Sequence, residues 1–332
     1  MDQNKFYSRR ERRFLIALHT IAFFIHMASS ILSFQKANQL PKTNANITIT
    51  SVDYKVQPPY MEETTTILTQ QQPIYWIAWN ETITWLAHID AILIFSLNRV
   101  ICGLNPRVAE STRRWGSYAI TAGLLQVAMV LSIGPASVFL ITYLLVGNAI
   151  LQLTGWLIDQ SESNKDRILY GILGTSIFAV SVSFVAIRSF RIDGLQFDDL
   201  AVSYTGLAVI YGLFYSSFGI VQLLRQLDQH CCCIKKRVRC CGTFNADAIF
   251  VLLSITSKVF LSWSLIGIIE SALAELNIID TDTDWRAIQI ALIVLCSLVL
   301  VGGTVFNGYY FSHEPGKKLN NRIYRPVRGI EF

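Results

Sequence analysis

The sequence predicts an all-α integral membrane protein of eight helices, and three observations carry that prediction. Of the 332 residues, 52% are hydrophobic and only 15% charged, against about 25% charged in an ordinary soluble domain. Most of the surface is therefore built for a solvent other than water. The chain also holds eight apolar runs, about 14–34, 82–101, 116–133, 136–157, 168–187, 201–224, 247–270 and 287–311, each near the roughly 20 residues that cross a bilayer as a helix. Finally, the connections 1–13, 98–115, 158–167, 225–246 and 312–332 hold 21 of the 28 lysines and arginines, the asymmetry that marks cytoplasmic segments. The N- and C-termini are both expected in the cytoplasm. The net charge of +5 then needs no nucleic acid partner, because these basic residues lie beside anionic membrane lipid.

Taken in order, 1–13 is a basic cytoplasmic N-terminus, and the run 14–34 is too long for the apolar core of a signal peptide, so it reads as a retained helix. The connection 35–81 is long and polar, and the alternation of 46-NITITSVDYKV-56 predicts a β-hairpin on the outer side. It contains two glycosylation triplets. Asn46 is the candidate acceptor, whereas Asn80 stands too close to the membrane. The short connection 134-GPAS-137 breaks the helix and makes its neighbours antiparallel. A bundle of seven helices thus covers 14–272, followed by an acidic outer connection 273–286, an extra span 287–311 and a basic cytoplasmic tail 312–332. The pair 302-GG-303 suits close packing of that extra span on another helix.

Five of the seven cysteines, Cys231, Cys232, Cys233, Cys240 and Cys241, fall in one basic inner connection. Juxtamembrane cysteines beside basic residues suit S-acylation; a zinc site is the alternative, although adjacent cysteines do not readily wrap a tetrahedral ion. Cys102 and Cys296 read as membrane-buried thiols.

The chemically telling residue is Lys258, in the middle of 251-VLLSITSKVFLSWSLIGIIE-270. A charged side chain at membrane depth is costly and normally faces the bundle interior. Snorkelling is difficult, since the Asp247 end of the run is roughly 16 Å away along the axis. Pairing with a carboxylate is the plain alternative. A desolvated lysine is also a nucleophilic amine suited to a Schiff base with an aldehyde, and in the seventh helix of a membrane bundle that chemistry suggests retinal. Ser254 lies one turn earlier on the same face, and Trp263 and Trp115 are flat groups able to flank a polyene.

Over about residues 10–272 the chain resembles the heliorhodopsins, retinal proteins whose topology is inverted relative to other microbial rhodopsins. The stretch 254-SITSKVFLSW-263 is similar to the family's retinal-lysine segment, 148-NAILQLTGWLID-159 to its fourth helix and 211-YGLFYSSFGIVQ-222 to its aromatic sixth helix. Thr84 and His88 match a polar pair on helix two. The resemblance implies a seven-helix rhodopsin-like bundle carrying all-trans retinal covalently on Lys258. It also implies pocket hydroxyls at Ser254, Ser117 and Thr84, His88 as a proton acceptor, ring walls from Trp115, Tyr118, Trp263 and Phe214, and a homodimer.

Two features depart from the family. Its third helix reads Arg-Trp-x-Glu-Tyr, the glutamate balancing the protonated Schiff base, whereas this chain reads 114-RWGSY-118, with Ser117 in that place. Without an anion the neutral imine is favoured, so the chromophore would absorb in the ultraviolet unless a bound anion or another carboxylate substitutes. Asp90 stands about 160° round helix two from His88 and is expected to face elsewhere; Glu270 is expected at the outer interface. The eighth span is the second departure. The function expected is a photoreceptor that signals to a cytoplasmic partner. A light-gated proton or ion channel and a non-photochemical membrane scaffold are the alternatives. No constellation for enzyme chemistry stands out.

Overall fold

Ser8 opens the first helix by a reciprocal cap: its hydroxyl accepts from the Glu11 amide, and the Glu11 carboxylate accepts from the Ser8 amide. This helix, α1 (Arg9–Gln39), begins a bundle seen in a computed structural model that describes residues 7–40, 47–57, 60–100, 102–134, 136–161, 163–190, 198–230, 246–275, 294, 298 and 301–305. The others are α2 (Pro73–Leu97), α3 (Pro106–Ser132), α4 (Val138–Gln160), α5 (Asn164–Phe190), α6 (Asp198–His230) and α7 (Ala246–Glu275). Local chemistry sets several starts. Pro73 and Pro106 occupy first-turn positions where a missing N–H costs nothing, and Asn105 and Ser137 cap α3 and α4 through their side chains.

Six of these helices are long and apolar enough to cross a membrane. The exception, α2, carries Glu81, His88 and Asp90. Large apolar side chains such as Phe139, Ile168 and Leu213 point outward from the bundle, as expected where lipid is the solvent. In contrast, α7 is the buried axis, packed against α1, α2, α3 and α6.

The expected hairpin is present. β1 (Ile47–Gln57) and β2 (Tyr60–Gln71) pair antiparallel, with a register slip between Ile49 and Thr50. The GPAS connection does more than turn the chain. Its β3 (Ala136–Ser137) pairs parallel with β1 at Ile49 and Thr50, so the hairpin is fastened to the α3–α4 end of the bundle. This end is the hairpin side of the bundle.

Three expectations are corrected. Helix α1 continues to Gln39, and α2 starts at Pro73 rather than 82, because Ile74, Ile77 and Ala78 bury an apolar face ahead of the hydropathic run. Asn80 and Glu81 consequently lie inside a helix and are fully buried. Cys102 is an exposed thiol with a positive φ of 51° in the turn after α2, not a membrane-buried one.

The cysteines at 231–241, Cys296, Asn46 and the tail 312–332 lie outside the described residues, as do most of the acidic connection and of the extra span. Of that span, residues 294, 298 and 301–305 are helical, and a Cβ placed on Gly303 would run into the Leu252 side chain of α7. The extra segment therefore lies directly on the central helix.

Candidate functional site

Lys258 is 6% exposed at the centre of the bundle. Its Nζ donates to Thr84 Oγ1 on α2 at 2.9 Å and to Thr121 Oγ1 on α3 at 2.7 Å, and it stands 4.9 Å from the centre of the Tyr118 ring. Each threonine gives its own proton to the carbonyl one turn back, Thr84 to Asn80 O and Thr121 to Ser117 O. A hydroxyl has a single proton to give, so both threonines face the lysine as acceptors. Ser254, one turn along α7, is buried, and its hydroxyl has no hydrogen-bond partner among the described residues.

On the hairpin side of this centre lies Glu81, fully buried on α2. Its carboxylate meets His26 Nδ1 of α1 at 2.5 Å and accepts from Ser262 Oγ of α7 at 2.6 Å and Asn80 Nδ2 at 3.2 Å. The His26 ring stacks on His88 with centroids 5.4 Å apart, and His88 Nδ1 in turn meets His19 Nδ1 at 2.7 Å. Three histidines from two helices thus form a continuous polar file. Nearer that end, Lys36 and Glu270 form an ion pair between α1 and α7.

On the opposite side, Arg114 is the hub of a buried ionic network. It binds Asp247 of α7 at 2.8 Å and Asp159 of α4 at 3.0 Å, and Arg225 of α6 approaches the same carboxylates at 3.5 and 3.4 Å. Asp159 also accepts from Trp115, Ser111 and Gln222, and Asp247 from the Tyr7 hydroxyl at 3.2 Å. Tyr7 precedes the first helix, and its burial, reinforced by the negative Asp247, holds the phenol well above its ordinary pKa. Arg113 is held separately by Glu110 and the Ala87 carbonyl. A narrow cavity bordered by Lys258, Ser117, His88, His19 and Asp247 links the lysine to this network.

Of the residues singled out in the sequence, Thr84, Tyr118, Ser254, Ser117 and His88 gather round Lys258, with Ser117 spending its proton on the Arg114 carbonyl. The tryptophans point elsewhere. The indole of Trp115 binds Asp159, and its ring lies so close that a Cβ on Gly155 would come within 2.7 Å of it. Trp263 donates to Ser29 of α1 at 2.9 Å, which places it in a helix–helix seam. Phe214 pairs with Phe260 at 5.8 Å, and Asp90 is exposed. Glu270, expected at the interface, is largely buried against Lys36.

Sequence reading missed Thr121, Glu81 and the α1 histidines. The heptad spacing of His19 and His26, which puts both on one helix face, was the available signal. Among the described residues no cluster of three or more His, Cys, Asp or Glu side chains is arranged to hold a metal.

A membrane bundle whose central helix presents a buried lysine to hydroxyls and an aromatic face belongs to the rhodopsin class of architectures. Comparison with solved structures agrees. The chain is similar to xanthorhodopsin, a light-driven ion pump with a dual chromophore, with a TM-score of 0.57 and 13% identity over 80% of this chain and 96% of that one. It is similar also to the proton-pumping rhodopsin AR2 from the marine alga Acetabularia acetabulum, with a TM-score of 0.54 and 12% identity over 79% of this chain and 96% of that one. At such identities the likeness is one of fold. No curated protein matches the sequence. The family model for heliorhodopsin matches residues 15–269, and the chain belongs to the heliorhodopsin family. It is therefore a multi-pass membrane protein of the light-responsive, retinal-binding type. The residues present fit that chromophore: a buried primary amine, hydroxyls placed to accept from its nitrogen, a ring face, and a buried Ser254 hydroxyl close by.

Proposed function

We propose that this protein is a light sensor holding all-trans retinal in covalent linkage to Lys258, with both termini in the cytoplasm. The observation that carries the reading is the condition of the Lys258 amine. It is buried, contacts two threonine acceptors and a ring face, and has no carboxylate within ion-pair distance among the described residues. A lysine so desolvated is a nucleophile towards an aldehyde carbon, and it would hold retinal by a condensation that gives up one water. Retinal, when bound, supplies light absorption and isomerisation of a double bond.

The chain's own groups do the rest. Thr84 and Thr121 fix the direction of the Lys258 N–H, while Tyr118 shields one side from water. His88 lines the same cavity with a buried Nε2 that lacks a partner among the described residues. It can take a proton through that atom and share the charge with His19 through Nδ1. Displacement at Lys258 is passed along the cavity to Arg114, whose network ties α3, α4, α6 and α7 together at the end that the distribution of basic residues assigns to the cytoplasm. Loosening that network exposes a surface to a cytoplasmic partner.

The test is the absorption spectrum of full-length protein reconstituted with all-trans retinal, before and after acid denaturation, beside Lys258→Ala. A covalent pigment in the wild type alone is expected, without photocurrent. A pigment that survives in Lys258→Ala, or none in the wild type, overturns the reading; a photocurrent that reverses with the ion gradient replaces the sensor by a channel.

A further inference from the structure

An imine that is protonated in a dry pocket needs a permanent negative partner, and position 117 here offers only a hydroxyl that is already turned to the Arg114 carbonyl. Asp159 and Asp247 are shared between Arg114 and Arg225, and Glu110 is bound by Arg113, so each already balances an arginine. Glu81 differs. Among the described residues no arginine or lysine lies within ion-pair distance of it, and its titratable hydrogen-bond partner is His26.

Its position follows from two interlocked helix repeats. Glu81 precedes Thr84 by one turn of α2, and Ser262 follows Lys258 by one turn of α7. Lys258 binds Thr84, and Ser262 binds Glu81. The two rungs lie side by side, which sets the carboxylate about one helical turn, roughly 6 Å for four residues of rise, from Nζ on the hairpin side. We infer that Glu81, oriented by His26, Ser262 and Asn80, is the anion that balances positive charge at Lys258, a role moved from the third helix to the second. The stacking of His26 on His88 connects the carboxylate to the proposed proton acceptor. The assignment rests on retinal attachment at Lys258.

Removing a unit charge at roughly 6 Å in surroundings of effective dielectric constant about 20 lowers the proton affinity of the imine about 100-fold. The titratable groups facing the pair are His19 and His26 from α1, His88 on α2, and Tyr118 and Arg113 from α3. Arg114 and Asp247 lie further along the cavity, and on α6 Tyr211 and Tyr215 are engaged by Gln126 and Asn148. The experiment titrates the pigment of wild type, Glu81→Gln, Glu81→Asp and the double variant Glu81→Gln with Ser117→Glu. A visible band in the wild type is expected. In Glu81→Gln it gives way to a near-ultraviolet band, titrating about two pH units lower, and it returns in Glu81→Asp and in the double variant. Titration of Glu81→Gln like the wild type, or a wild type that is already ultraviolet-absorbing at neutral pH, overturns the assignment.

Two measurements do not depend on a folded Glu81→Gln pigment. Replacing chloride by sulfate should leave the wild-type band in place; a shift on chloride removal would assign the charge to a bound anion instead. In the retinal-free protein, infrared spectroscopy with site-specific labelling should show Glu81 as a carboxylate, and a protonated carboxyl group there overturns the assignment. Absence of any acid-stable pigment in the wild type would be a failure of retinal attachment, distinguishable from all of these because Glu81 would not then affect a spectrum.

Discussion

Replacing Arg114 by glutamine tests the most heavily charged part of the molecule. The Arg114 side chain is 2% exposed and bridges Asp247 at 2.8 Å and Asp159 at 3.0 Å, both carboxylates being buried. Removing one partner of a buried ionic cluster leaves a charge uncompensated and costs about 3–5 kcal/mol. Arg225 approaches the same oxygens only at 3.4 and 3.5 Å and is 16% exposed, so Arg225→Gln should cost nearer the 1 kcal/mol typical of a solvated pair. Asp159 also keeps its bonds from Trp115, Ser111 and Gln222 in either variant, which limits but does not remove the loss. The assay is unfolding in mixed detergent and SDS micelles followed by far-ultraviolet circular dichroism, with wild type and both variants measured together. A cost below about 1 kcal/mol for Arg114→Gln, or equal costs for the two arginines, would refute the argument that burial and distance rank them.

Three further expectations follow from individual contacts. Gly155→Ala should lose about 1–3 kcal/mol through overpacking, since its Cβ would come within 2.7 Å of the Trp115 ring, whereas Gly116→Ala meets nothing within 4 Å and should melt with the wild type. Gly303→Val should loosen the extra helical segment from Leu252, seen as faster proteolysis beyond α7 with the visible band unchanged. The Tyr7 phenol, held above its ordinary pKa by burial and by Asp247, keeps its proton when an unfolded tyrosine has lost its own. Its contribution is therefore constant below about pH 10 and declines as pH rises beyond that. Tyr7→Phe should flatten this alkaline decline while lowering stability at neutral pH by about 1 kcal/mol for the lost hydrogen bond; unchanged alkaline melting would contradict it.

Much of the architecture was legible because a bilayer is a simple solvent. An apolar run of adequate length has few options other than a helix, so the seven described helices stand where hydropathy put them, apart from their ends. The early start of α2 was not legible. Residues 73–81 mix tryptophan, tyrosine, asparagine and glutamate, which reads as loop by hydropathy, while their helical face is buried by α1. That one displaced boundary hid Glu81 among outer-loop residues.

The sequence by itself determined that Lys258 sits at membrane depth with Ser254 on its face, that Ser117 occupies the place of an acid, and which end of the bundle is basic. The first and last follow from spacing and charge along one chain, the second from the resemblance of 114-RWGSY-118 to the heliorhodopsin third helix. Only the tertiary structure decided which hydroxyls meet the lysine, that the tryptophans turn to Asp159 and Ser29, and that Glu81 shares a rung with Ser262. These depend on the rotation of each helix about its own axis, which is fixed by packing against neighbours far away in sequence and leaves no local periodic signal.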